Sequence, residues 1–137
     1  MAWCEGRGTA GNGAMDVEIL QDPLRLAALR RLALLETPAD AAFNRLTRLT
    51  CAMLRVPIAL VTLVAGDYQF FKSAKGLPEP WQSRRGTPLS HSFCQYTVAG
   101  NAPLVIEDAR AHPLVSDNAA IYDLSRSATD SGRDSGR

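Results

Sequence analysis

His91 and Cys94 stand three residues apart in Ser90-His91-Ser92-Phe93-Cys94-Gln95-Tyr96. On a helix that spacing puts both on one face. Such a pair could carry two chemistries, a thiolate activated by imidazole or half of a zinc site. A structural zinc takes four ligands, and Cys4 and Cys51 are far off in the chain. The competing reading, a small buried thiol beside a solvent-facing His, has the stronger claim. His112 follows Asp108 and Arg110 in a loop-like stretch. A base with an orienting acid is one reading; a turn held by local hydrogen bonds is the simpler one. Arg84-Arg85 is either a spot for a phosphate or partner carboxylate, or a solvated pair. Tyr68, Phe70, Phe71 and Trp81 are core and loop anchors, or else walls of a ligand cavity. The chain has no His-Glu-x-x-His, Gly-x-Ser-x-Gly or phosphate-cradling glycine loop. Gly6, Gly8 and Gly11 imitate a glycine fingerprint, but no strand precedes them.

The elements that must position these residues follow from pattern. Asp22-Pro23 opens a helix to about Leu34, with Asp22 as cap and Pro23 at the first helical position. Its broad apolar face suits a core or a dimer seam, and Arg25, Arg30 and Arg31 fall on the remainder. Thr37-Pro38-Ala39-Asp40 predicts a second helix start, with Thr37 as cap. Ala42, Leu46, Leu49 and Met53 then mark its buried face, with Asn44, Arg48 and Arg55 opposite. Ile58–Val64 is apolar on both alternating sets and reads as an interior strand. Ala65-Gly66-Asp67 turns the chain, and Tyr68–Lys75 returns as a more polar antiparallel partner. A loop runs to about Pro88, a short helix spans Ser90–Val98, and Leu104–Glu107 reads as a third strand. Helical turns are expected around Asp117 and Asn118.

Length and composition bound the rest. The chain has 137 residues, 46% hydrophobic and 21% charged, room for one globular domain. Fifteen Lys and Arg oppose fourteen Asp and Glu, a net charge of +1. That balance gives no reason to expect nucleic acid or an anionic membrane as partner. No apolar run is long enough for a membrane span, and the first residues lack a secretory pattern. Three widely spaced cysteines fit a reducing cytoplasm. Residues 1–21 read as a disordered leader, with Met15 an alternative start. Residues 125–137, including Asp-Ser-Gly-Arg twice in succession, read as a disordered tail. The folded domain is expected over 22–124.

An ordered set of segments carries a resemblance. Arg25-Leu26-Ala27-Ala28-Leu29 leads to Leu35-Glu36-Thr37-Pro38, then Phe43–Leu49 and Val56-Pro57-Ile58-Ala59-Leu60-Val61-Thr62-Leu63-Val64. Gln69-Phe70-Phe71-Lys72-Ser73, Ser90-His91-Ser92-Phe93-Cys94-Gln95 and Leu104–Arg110 follow. Over about residues 22–124 the chain resembles the bacterial GAF domain, in the subgroup that precedes histidine kinases, diguanylate cyclases and stress-type protein phosphatases. The resemblance implies an α/β (α+β) domain. Its antiparallel sheet has helices on one face and, on the other, a cavity roofed by loops and short helices. Such domains bind cyclic nucleotides, haem or bilins, or signal through dimer helices. The roof would be Ser90–Tyr96 and Asp108–Leu124, making Phe93, Cys94, Asp108, Asp117 and Asn118 the ligand-binding candidates. No catalytic or metal-ligating residue is assigned, and the cofactor is left unknown.

Three departures qualify the likeness. Gln95, not His, follows Cys94, which counts against a covalent bilin. A lone Cys94 does not supply the cysteine set of sulfoxide-reductase relatives. Where relatives continue into two long strands and a closing helix, the Ser125–Arg137 tail stands instead. Ile58–Val64 would then expose an unpaired apolar edge. The expectation is a cytoplasmic, non-enzymatic sensory module that binds a small molecule or a partner domain and pairs through its N-terminal helices. The alternatives are an incomplete fragment without independent activity and, less favoured, a Cys-based methionine sulfoxide reductase.

Overall fold

A computed structural model describes residues 16–123. The expectations for residues 1–15 and 124–137, the leader's start and the disordered tail included, lie outside the described residues. Helices and an antiparallel sheet are mixed, an α+β fold. A 3-10 turn, Val17–Gln21, comes first, ahead of the expected boundary at 22, and buries Leu20. Helix α1 (Pro23–Arg31) starts as its sequence dictates, with Asp22 Oδ1 accepting from Leu24 N at 2.9 Å. It stops three residues short of Leu34, because the chain turns left-handed at Ala33 (φ 49°).

Helix α2 (Ala41–Leu54) departs from expectation at both its start and its face. Its cap is Asp40, whose carboxylate accepts from Ala42 N at 2.8 Å. Thr37 is occupied elsewhere: its hydroxyl donates to Leu34 O at 2.7 Å and accepts from Lys72 Nζ at 2.6 Å. The Leu46, Leu49 and Met53 stripe, expected inside, is exposed at 53%, 55% and 72%. The inward face carries Asn44 and Thr47 instead. The cause is the strand beneath it, whose Ser73 hydroxyl lies 3.0 Å from Thr47 Oγ1 and donates to Asn44 Oδ1 at 2.7 Å. A buried hydroxyl needs partners, and leucines would supply none. Arg55, left-handed at φ 54°, ends the helix before Pro57.

The expected hairpin forms from β1 (Ala59–Val64) and β2 (Tyr68–Lys75), antiparallel, with Ala65 N donating to Tyr68 O at 2.8 Å across the turn. Glycine is required just beyond β2. Gly76 has φ +76°, and a Cβ there would lie 2.0 Å from Pro57 O. The third strand is not Leu104–Glu107, which is irregular with Val105 exposed. It is β3 (Gly86–Pro88), inside the expected loop, preceded by the one-turn helix α3 (Trp81–Arg84). The order is β1-β2-β3. By occupying the outer edge of β2, β3 makes β2 the central strand, with Gln69 through Ser73 all buried. Among the described residues β1 is therefore an edge strand, as expected of an Ile58–Val64 segment left unpaired on one side, and Leu60 is 40% exposed. The short helix at 90–98 divides into a 3-10 turn (Leu89–His91) and α4 (Cys94–Gly100). Among the described residues a further helix, α5, occupies 119–123.

Arg25, expected on the solvent side, joins the N-terminal elements to the sheet. Its guanidinium donates to Ile19 O at 3.0 Å, Leu20 O at 2.7 Å and Val64 O at 2.7 Å. Methionine keeps the aliphatic stem but leaves three carbonyls without this donor. Arg25→Met is expected to lower unfolding stability by about 2–3 kcal/mol in urea denaturation; a loss under about 0.5 kcal/mol, the range of ordinary surface changes, would show that the clamp contributes little. Lysine at an edge opposes strand-to-strand association. Leu60→Lys is expected to reduce concentration-dependent self-association in sedimentation velocity, and unchanged association would place the sticky surface elsewhere.

Candidate functional site

Alternation along β2 sends Gln69 and Phe71 toward the side of the sheet away from α2. There Gln69, buried, holds the segment that follows β3. Its Nε2 donates to Thr87 Oγ1 at 2.7 Å, and its Oε1 accepts from Ser92 Oγ at 2.7 Å. Ser92, fully buried, is the hub. Its Oγ accepts from Gln95 N at 3.1 Å, and its carbonyl accepts from Gln95 Nε2 at 2.9 Å and Asn118 Nδ2 at 3.3 Å. Gln95 Nε2 also donates to Leu89 O at 2.6 Å. These bonds fix the 89–95 backbone on both sides of Phe93 and Cys94.

The resulting cavity has a volume of about 150 Å3. The sheet supplies Leu60 and Thr62 from β1, Gln69 and Phe71 from β2 and Thr87 from β3. Leu77, Trp81 and Ala120 close the sides, and His91, Phe93 and Cys94 complete the wall. The lining is predominantly apolar, with a few polar groups at fixed positions, the usual character of a small-molecule site.

Of the five ligand-binding candidates, Phe93 and Cys94 line this cavity. Asn118 stands behind it, buried: it donates to Ser92 O, and its Oδ1 caps α5 by accepting from Ala120 N at 2.9 Å. Asp108 and Asp117 are exposed and do not line it. Asp108 Oδ1 accepts from Arg110 N at 3.0 Å, and His112 Nδ1 accepts from Leu114 N at 3.3 Å. Both are local turn bonds.

His91 and Cys94 share the cavity, yet the histidine is engaged elsewhere. Its Nδ1 lies 3.0 Å from Ser90 Oγ and its Nε2 lies 3.0 Å from Asp123 Oδ2, while its ring packs 5.4 Å from that of Trp81. Burial pushes the Cys94 thiol above its ordinary pKa, and a hydrogen bond with Thr62 offsets only part of that rise. The geometry therefore favours a protonated thiol over an imidazole-activated thiolate. Among the described residues no three His, Cys, Asp or Glu side chains converge as a metal-binding group.

The other expected features divide. Phe71 and Trp81 are cavity walls, whereas Phe70 lies under the Arg85 guanidinium at 5.0 Å. Arg85 is no solvated residue: it donates to Thr37 O at 2.9 Å and Lys72 O at 3.3 Å. Tyr68 donates to Glu36 Oε1 at 3.2 Å; burial, and then that carboxylate, raises its phenol pKa. Gln69, Thr87 and Ser92 escaped the sequence reading. The two-residue alternation that pairs Gln69 with Phe71 was the available signal for the first.

No family model matches the chain. Among curated proteins, a cyclic di-GMP phosphodiesterase of Pseudomonas aeruginosa is 32% identical over 97 residues, 71% of this chain. The chain spans 16% of that relative's length. The kinship is with a signalling protein, the coarser part of the sensory-module expectation. It also corrects the expectation of a non-enzyme, since the relative is an enzyme by name and points toward enzymatic activity. Among the described residues no helix is long and apolar enough to cross a membrane.

Proposed function

We propose that the chain is a GAF-type sensory module in cyclic di-GMP signalling, in which a small molecule held in the cavity beside Phe93 and Cys94 tunes phosphodiesterase activity. The carrying observation is the cavity itself, walled by the segment that the Gln69–Ser92 bonds hold in place. The related phosphodiesterase supplies the signalling context. Size argues about the occupant. A dry apolar cavity of about 150 Å3 accommodates benzene, so this space of about 150 Å3 suits a compact ligand near one aromatic ring. A cyclic dinucleotide is far larger, so the effector differs from the relative's substrate. The exposed Leu24 of α1 and Leu32 just after it support pairing of two copies through the N-terminal helices.

Indole is the probe for the cavity. It is expected to raise the melting temperature of the chain in a saturable manner, and Ala120→Phe, which projects a ring into the space, is expected to abolish the increase. No increase at the solubility limit of indole, or an equal one in the variant, would overturn the reading. Cys94 gives a second measurement, in a Cys4→Ser, Cys51→Ser background. Its alkylation by iodoacetamide is expected to rise with pH only above the ordinary thiol range. Thr62→Val, which removes the bond that favours the thiolate, is expected to move the midpoint higher still. A midpoint below that range would restore the activated-thiolate reading.

A further inference from the structure

A second cavity opens on the α2 side of the sheet, between that helix, the end of β2 and α3. Its volume is about 440 Å3, within the roughly 300–1,000 Å3 of small-molecule pockets. Its charged walls are of one sign. Arg48, Lys72, Lys75 and Arg85 line it, and no Asp or Glu does. The whole chain carries only +1, so the concentration of charge is local.

Lys72 is the most buried of the four, at 3% exposure. A register shift in the hairpin accounts for its placement. Val61 pairs with Ser73 and Thr62 with Phe71, leaving Lys72 without a partner on β1. A bulge of this kind re-aims side chains, and here Lys72 and Ser73 both contact the α2 side. Lys72 Nζ donates to Thr37 Oγ1 at 2.6 Å and Pro38 O at 3.0 Å, and stands 5.8 Å from the centroid of Phe43. An ammonium has three donors, and these bonds account for two.

Among the described residues no carboxylate lies within ion-pair distance of any of the four cations. Asp40 and Glu79 are close in sequence but turned to other work. Asp40 caps α2 through Ala42 N, and Glu79 accepts from Ser83 N at 3.1 Å and Ser83 Oγ at 2.8 Å. A buried cation without a counter-charge is costly to a fold. An anion entering from the open side would offset that cost and meet three more positive groups.

We propose that this cavity binds a phosphoryl group, as free phosphate or as a small phosphate ester, with Lys72 at its base and Arg48, Lys75 and Arg85 around it. A tetrahedral, multiply charged anion matches several convergent cations better than a monoanion does, and Arg offers paired donors to it. The volume leaves room beside the phosphoryl group for a sugar-sized substituent.

Isothermal titration of the whole chain tests this, with inorganic phosphate and ribose 5-phosphate as probes and chloride at matched ionic strength as the reference. Saturable one-to-one binding is expected for at least one probe. Tighter binding of the sugar phosphate assigns the ester, and equal binding assigns free phosphate. Lys72→Met is expected to weaken binding roughly tenfold or more. Because Lys72 is in the core, the exposed double change Arg48→Ser with Lys75→Ser is the second variant, expected to weaken binding severalfold while leaving the unliganded melting temperature in place. Arg30→Ser with Arg31→Ser, on α1, is expected to leave affinity unchanged. Absence of saturation with both probes, an equal response to chloride, or unaltered affinity in the exposed double variant would overturn the proposal.

Discussion

Strand β2 is buried along most of its length and is polar toward both of its neighbours, and that constraint organises the molecule. Gln69 requires acceptors and donors on one side, and Lys72 and Ser73 require them on the other. Buried polar groups left unmatched cost on the order of 1–3 kcal/mol each. Each neighbour of β2 therefore brings polar atoms to it: Thr87 from β3, Ser92 from the segment after β3, Thr47 and Asn44 from α2, and Thr37 and Pro38 from the α1–α2 connection. No described buried side-chain nitrogen or oxygen lacks a partner. The strand thereby selects which residue of each neighbour faces inward.

The same constraint explains what could be read from the residues alone. The hairpin, its turn and the capping of α1 by Asp22 depend on local chemistry, and those were legible. The inner face of α2 was not. A hydrophobic period assumes an apolar surface opposite, and β2 presents hydroxyl and ammonium groups there instead. Leu46, Leu49 and Met53 therefore point outward, although their spacing is that of a core stripe. β3 was illegible for a related reason. Three residues, Gly86-Thr87-Pro88, carry no strand signal of their own, and their pairing follows from an edge that β2 offers.

The candidate cavity was legible in part. Phe93 and Cys94 belong to an ordered motif, and they stand in its wall. Asp108 and Asp117 were drawn from the expected roof, but short-range hydrogen bonding and exposure keep them on its outside. Asn118 supports the site indirectly through the Ser92 carbonyl. Gln69 and Ser92 matter more than their types suggest, because the bond between them links the central strand to the segment that closes the cavity.

Arg25 grips the carbonyl of Val64 at the very end of β1, while Leu60 and Thr62 in the middle of that strand form cavity wall. The guanidinium is also fastened to two carbonyls of the chain entering the domain. One six-residue strand thus touches both the N-terminal elements, through Arg25 at its Val64 end, and the candidate site, through Leu60 and Thr62 at its middle, so a change at either place meets the same stretch of backbone.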